Sequence, residues 1–97
     1  WRRADLLQVG ALPWRSGSNG TEVLLVTSRG TGQWIVPKGG MMAGISAFEA
    51  AAEEAWEEAG VRGRIEEAEA GRFSHVKTQL GRSPLHCRVA LYRLEVE

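Results

Sequence analysis

Residues 46–60 read SAFEAAAEEAWEEAG. Ser46 followed three places later by Glu49 is a capping box, in which hydroxyl and carboxylate satisfy free amides at a helix start. The interior is rich in good helix formers, and Gly60 supplies the left-handed residue at which helices commonly stop. Phe48, Ala52, Ala55 and Ala59 form one apolar stripe, and the small alanines let the helix lie close against a sheet. Glu54, Glu57 and Glu58 fall away from that stripe, near one side. With Glu53 they make four carboxylates with no Lys or Arg among them, so like charges face each other at three- and four-residue spacing. Glu57 and Glu58 also sit in the last turn, where the helix dipole disfavours anions. Another source of positive charge is required.

Outward from the helix, LLQVGALPW reads as a first strand and RSGSNG as a polar loop. TEVLLVTSR is apolar on both faces over its middle, which suggests an interior strand covered on both sides. GTGQ turns the chain into WIVP, a short strand that Pro37 ends because proline has no amide hydrogen for the ladder. KGGMMAGI reads as a glycine-bearing loop. After the helix, GRIEEAEAGRFSHVKTQ and LHCRVALYRLEVE read as further strands. The order is three strands, one helix, then two or three strands.

The 97 residues suit one small domain with an adequate core, and the apolar and charged fractions are those of an ordinary globular protein. Twelve basic and twelve acidic residues cancel, so net charge points to no partner; its distribution is more informative. Residues 46–61 hold five Glu and no basic residue, whereas Arg72, Lys77, Arg82 and Arg88 follow. A lone cysteine, Cys87, rules out an internal disulfide and fits a reducing, cytoplasmic setting. Its strand context suggests a buried thiol that acts as a small hydrophobe. No apolar run reaches membrane-spanning length, and WRRADLLQVG has no signal-peptide core.

A Glu-rich helix is ordinarily a solvated face, since exposed charge is cheap. Such helices interleave Lys or Arg at four-residue spacing, and this one does not. A divalent cation removes the repulsion and makes the cluster a ligand set. Carboxylates without His or Cys are hard oxygen donors, suited to magnesium or manganese rather than zinc or copper. Magnesium keeps open positions for water and phosphate oxygens, so a short carboxylate set points to phosphate chemistry.

PKGGMMAGISAFEAAAEEAWEEAGV resembles the Nudix box of the Nudix hydrolases, which split diphosphates linked to a second moiety. The family pattern is Gly, five residues, Glu, seven residues, Arg-Glu, an aliphatic, any residue, Glu-Glu, any residue, Gly and an aliphatic. Gly39, Glu54, Ala55, Glu57, Glu58, Gly60 and Val61 match it with both spacers intact. Ile45 stands where the pattern has Glu, and Glu53 where it has Arg; these departures bear on rate and metal geometry more than on fold.

The resemblance implies an α+β fold over residues 1–97, a Nudix-like mixed β-sheet with the box helix packed on it. The family usually adds a helix after the last strand, and ALYRLEVE stops before one appears, so the resemblance implies a domain incomplete at its C-terminus. It implies metal-dependent hydrolysis of a diphosphate linkage with Mg2+ or Mn2+. Glu54, Glu57 and Glu58 would be ligands and catalytic carboxylates, with the backbone carbonyl of Lys38 a further ligand. Glu54 or Glu58 could serve as general base.

VLLVTSRGTGQWIVPKGG and CRVALYRLEV look like the branch that acts on dinucleoside polyphosphates and diphosphoinositol polyphosphates. Such a phosphate-rich small molecule would suit Arg29, Lys38, Arg72, Lys77 and Arg88 as a cradle, although surface Lys and Arg are more often simply solvated. A homodimer would be in keeping with the family; no membrane or specific nucleic-acid partner is implied. Trp34 and Trp56 read as core or sheet-covering residues before stacking platforms, and His75 and His86 as strand residues with a local hydrogen bond. The rival to a hydrolase is a Nudix-like module that binds a phosphorylated ligand or a protein without turnover, motivated by Ile45 and Glu53.

Overall fold

A computed structural model describes residues 5–28, 31–77 and 80–97. In chain order these form β1 (Asp5–Gly17), β2 (Gly20–Val23), β3 (Val26–Thr27), β4 (Trp34–Ile35), β5 (Lys38–Gly40), α1 (Ala47–Ala59), β6 (Gly63–Lys77) and β7 (Leu85–Val96). The main sheet is ordered β2-β1-β7-β6, with β5 added to β1, and β3 and β4 make a separate two-stranded sheet. β1 and β7 run parallel, Val9 opposite Ala90, while β2, β5 and β6 pair antiparallel with their neighbours. The sheet is therefore mixed, and the α+β expectation holds.

Both predicted helix ends are present. Ser46 Oγ accepts from Glu49 N–H at 3.4 Å and Glu49 Oε1 accepts from Ser46 N–H at 3.3 Å. The Ser46 hydroxyl also donates to Glu49 Oε1 at 2.7 Å, and these bonds hold the Glu49 carboxyl below its usual range. At the other end Gly60 is left-handed, with φ 67°, and the Gly60 and Val61 amides bond back to the Trp56 and Ala55 carbonyls. That double return is a Schellman motif, and glycine adopts it without the Cβ penalty.

The buried face of α1 differs from the predicted stripe. Ala50, Ala51 and Ala55 pack with Val9, Ala11, Tyr92 and Leu94, and Glu54 is buried beside them. Phe48, Ala52 and Ala59 are only half-buried. A run of alanines offers several nearly equivalent apolar faces, and the sheet selects one turned toward Glu54. Ile45, at the position where the family pattern has Glu, packs against this same cluster.

The strands before the helix depart most from expectation. RSGSNG is a tight hairpin rather than a loop, with Arg15, Ser16 and Gly17 in β1 opposite Glu22, Thr21 and Gly20. TEVLLVTSR is not one interior strand. β2 is exposed along its length, Leu24 and Leu25 lie outside any strand, and Val26 and Thr27 pair with β4. An apolar run does not disclose whether one or both faces are covered, and β2 lies at the sheet edge. KGGMMAGI contributes a strand as well. Lys38, Gly39 and Gly40 pair with Gly10, Val9 and Gln8, and Ala11 N–H donates to the Pro37 carbonyl at 3.0 Å. The open edge of β1 supplies the pairing that two glycines would not favour alone.

Cys87 is buried, as expected of a strand thiol. Trp34 is 72 % exposed and Trp56 is also exposed, contrary to a core role for either. Trp56 instead carries the Arg62 guanidinium 4.1 Å from its ring centroid, so a cation does fold back beside the helix C-terminus. Among the described residues no helix is long and apolar enough to cross a membrane.

Removing the cap tests how far α1 depends on its own ends: Ser46→Ala is expected to cost about 1 kcal/mol and lower Tm by roughly 4–8 °C. A thermal melt unchanged by the substitution contradicts this.

Candidate functional site

Glu54, Glu57 and Glu58 occupy two environments. Helical spacing places Glu54 on the face toward the sheet, where it is 8 % exposed, and leaves Glu57 and Glu58 exposed beside it. Glu54 had been expected to fall away from the apolar stripe with the other two; the rotated helix buries it instead.

Gly39 is what makes room for it. The β5 backbone passes so close that a Cβ on residue 39 would lie inside the Glu54 carboxyl group. Any side chain there must push the carboxylate, the helix or the strand aside, so glycine at this position is a matter of space rather than of φ.

Burial is also the largest influence on Glu54 ionisation. It raises the carboxyl from 4.5 to about 7, helped by the hydrogen bond that protonated Glu54 donates to the Glu58 carboxylate and by the charges of Glu58 and Glu57, with Lys38 opposing. Glu54 thus keeps its proton more readily than it would in water.

The exposed side of the cluster opens on a pocket of about 550 Å³ lined by Val26, Thr27, Ser28, Ile35, Val36, Lys38, Glu57, Glu58 and Lys77. Two of the predicted cradle residues, Lys38 and Lys77, therefore share a cavity with two of the predicted ligands. Arg72 and Arg88 line a different cavity, about 200 Å³, with Met41, Glu69 and Tyr92 among its walls. Arg72 donates to Glu69 Oε2 at 2.7 Å there. The predicted cradle is divided between two places. Arg29 lies outside the described residues.

Among the described residues, no three His, Cys, Asp or Glu side chains are gathered closely enough to hold a metal ion as they stand. The donor chemistry still fits a hard dication: Glu54 and Glu58 are in contact, Glu57 adds its field to Glu54, and glycine rather than a side chain covers Glu54. Glu53, at the arginine position of the family pattern, is exposed.

A second polar group adjoins the pocket, and no motif announced it. Gln8 Oε1 accepts from Lys38 Nζ at 3.4 Å and lies 3.2 Å from His75 Nε2. His75, expected to have only a local partner, bonds across the sheet to a residue 67 positions away. Burial, then Lys38 and Lys77, pull its pKa below 6.5 and favour the neutral ring.

A family model described as the NUDIX domain matches residues 6–97. No curated protein matches the chain. Among solved structures, it is similar to the C. elegans Ap4A hydrolase at 22% identity and a TM-score of 0.65, over 95% of this chain and 70% of that one. The NUDIX domain of Shewanella oneidensis NrtR, crystallised with ADP ribose, gives 20% identity and a TM-score of 0.69 over 97% of this chain and 62% of that one. RenU, a Nudix hydrolase from M. Smegmatis, gives 17% identity and a TM-score of 0.58, with 95% and 64% covered. These identities establish a shared fold, and the family match extends through both the box and the strands around it. The chain belongs to the NUDIX domain family, whose reaction class is pyrophosphate hydrolysis.

Proposed function

We propose that this chain hydrolyses a pyrophosphate linkage in a phosphate-rich, nucleotide-like small molecule, with Mg2+ or Mn2+ held by Glu54, Glu57, Glu58 and the Lys38 backbone carbonyl. The observation that carries the reading is the Glu54 carboxyl, buried against Gly39, with Glu58 and Glu57 raising its proton affinity. The site spends local stability to keep acid where a structural helix would bury alanine. The dication, when bound, neutralises phosphate charge and lowers the pKa of an attacking water.

The chain's own residues supply the rest. Lys38 and Lys77 line the same pocket as Glu57 and Glu58 and would bind the non-bridging phosphate oxygens, a point-charge interaction suited to ammonium groups. Water oxygen forms the new bond to phosphorus, the bridging P–O bond breaks with its electron pair, and the water proton passes to a carboxylate of the Glu54–Glu58 pair. The relatives with Ap4A hydrolase activity or bound ADP ribose in their descriptions support a ligand with adjacent phosphates.

A second reading, a module that binds such a ligand without turnover, draws on Ile45 and Glu53. Ile45 is committed to the core cluster and cannot take the part of a carboxylate, and exposed Glu53 cannot orient its neighbours as arginine would.

A substrate panel with magnesium or manganese separates the two. Turnover is expected, with Glu57→Gln or Glu58→Gln lowering kcat roughly 100-fold or more; binding without turnover across dinucleoside polyphosphates, nucleoside diphosphate derivatives and diphosphoinositol polyphosphates selects the module.

Stability provides an independent check. Glu54 binds its proton more tightly folded, with a pKa of about 7, than at its ordinary 4.5. The folded state therefore holds more protons between those values, and metal-free stability falls as pH rises through that window and levels off above it. Glu54→Gln should flatten the fall and raise metal-free stability at pH 8 by about 2 kcal/mol, with little change at pH 5. Saturating Mg2+ or Mn2+ should raise the wild-type Tm at pH 8; a pH-independent melt unmoved by either ion would sink the ligand assignment.

A further inference from the structure

The carboxylates and the lysine beside them reach the pocket from opposite sides of one strand. In β5, Gly39 pairs with Val9, a residue of the helix-packed cluster, so this side of the strand faces α1 and meets Glu54. Lys38 pairs with Gly10 and alternates to the far side, as strand geometry requires. There it lies diagonal to Gln8, and Gly10 leaves the path open: a Cβ on residue 10 would come 3.3 Å from Lys38 Cβ and 3.2 Å from the Pro37 carbonyl oxygen.

On that far face Gln8 extends one way to Lys38 and the other way to His75. β7 separates β1 from β6, so the Gln8–His75 contact spans a whole strand. Cys87 pairs with Leu6 on one side and His75 on the other, and Val89 pairs with Gln8 and Phe73. Both Cys87 and Val89 are fully buried yet lie outside the helix-packed cluster.

The protonation pattern follows from the donor inventory. An ammonium has only donors, so the Gln8 atom facing Lys38 Nζ is the amide oxygen. That same oxygen faces His75 Nε2, which must then carry the hydrogen. One carbonyl oxygen receives two N–H groups from residues far apart in sequence, and a shared acceptor of this kind restricts a lysine that would otherwise sample many rotamers.

We propose that Gln8 is a positioning residue: with His75 as its second partner, it holds the Lys38 ammonium at the mouth of the carboxylate pocket, oriented to take a phosphoryl oxygen of the ligand. This rests on the reading of the pocket as a phosphate site, but not on turnover. Gln8 itself does not touch the ligand. It acts through Lys38, and its contribution vanishes when Lys38 is gone.

A double-mutant cycle tests that dependence. Inorganic pyrophosphate is titrated calorimetrically into the chain at pH 8 with saturating magnesium, for wild type, Lys38→Ala, Gln8→Leu and the double variant, each melted to confirm folding. Lys38→Ala is expected to weaken binding roughly tenfold, the scale of a charge-assisted hydrogen bond, and Gln8→Leu roughly threefold. The double variant should match Lys38→Ala, because the two losses are not independent. In 15N-histidine-labelled wild type, with His75 assigned by a His75→Gln variant, the ring should show the Nε2–H tautomer.

Additive losses, an unaffected Gln8→Leu, or an Nδ1–H tautomer overturn the proposal even where hydrolysis is observed. Pyrophosphate that binds with the non-additive pattern while no member of the substrate panel is turned over leaves Gln8 in its role and defeats the hydrolase reading. Failure of wild type to bind pyrophosphate defeats the positioning role too.

Discussion

The site depends on one steric and electrostatic constraint: a carboxylate pressed between an alanine-faced helix and the bare backbone of a glycine. Glu54 could not enter that space if residue 39 had a side chain, and burial there raises its pKa to about 7. The capping box and the Schellman end of α1 fix where along the helix residue 54 falls, and β5 fixes what lies over it. A one-residue shift of the helix that put Ala55 under Gly39 would remove the buried acid. The apolar cluster of Val9, Ala11, Tyr92 and Leu94 is thus part of the site, since it sets the rotation of the helix.

A three-residue edge strand divides the charge. One side of β5 holds acid from α1; the other holds the Lys38 ammonium, steadied by Gln8 and His75. Opposite charges drawn from different elements can then meet at the same opening without neutralising each other along the helix. The absence of lysine or arginine from residues 46–61 follows from this division of labour. An i,i+4 salt bridge on α1 would occupy Glu57 or Glu58 and remove it from the pocket. Arg62, the first cation after the helix, stacks on Trp56 instead of reaching back to pair with the cluster.

The local signals were accurate where the physics is local. Ser46 with Glu49, and Gly60, set the helix ends because their hydrogen bonds close within a few residues. The spacing of Gly39, Glu54, Glu57 and Glu58 marked the acidic site, and Cys87 the interior of a strand. Readings that needed a partner strand went astray. RSGSNG became a hairpin, TEVLLVTSR divided between two sheets, and KGG joined β1 as a strand, since pairing depends on which edge is open and on what covers each face. The exposure of Trp34 and Trp56 was hidden for the same reason.

By itself the amino-acid order determined the helix, its caps, the acidic cluster and the family, because each is written in spacings of fewer than about thirty residues. Tertiary structure alone decided which face of the alanine helix meets the sheet, and so that Glu54 is buried while Glu57 and Glu58 stay open. It also decided that Lys38 and Lys77 join the pocket while Arg72 and Arg88 gather elsewhere, and that Gln8 bridges Lys38 to His75. Those outcomes rest on the register of strands distant in sequence, where a shift of one residue turns every side chain to the opposite face.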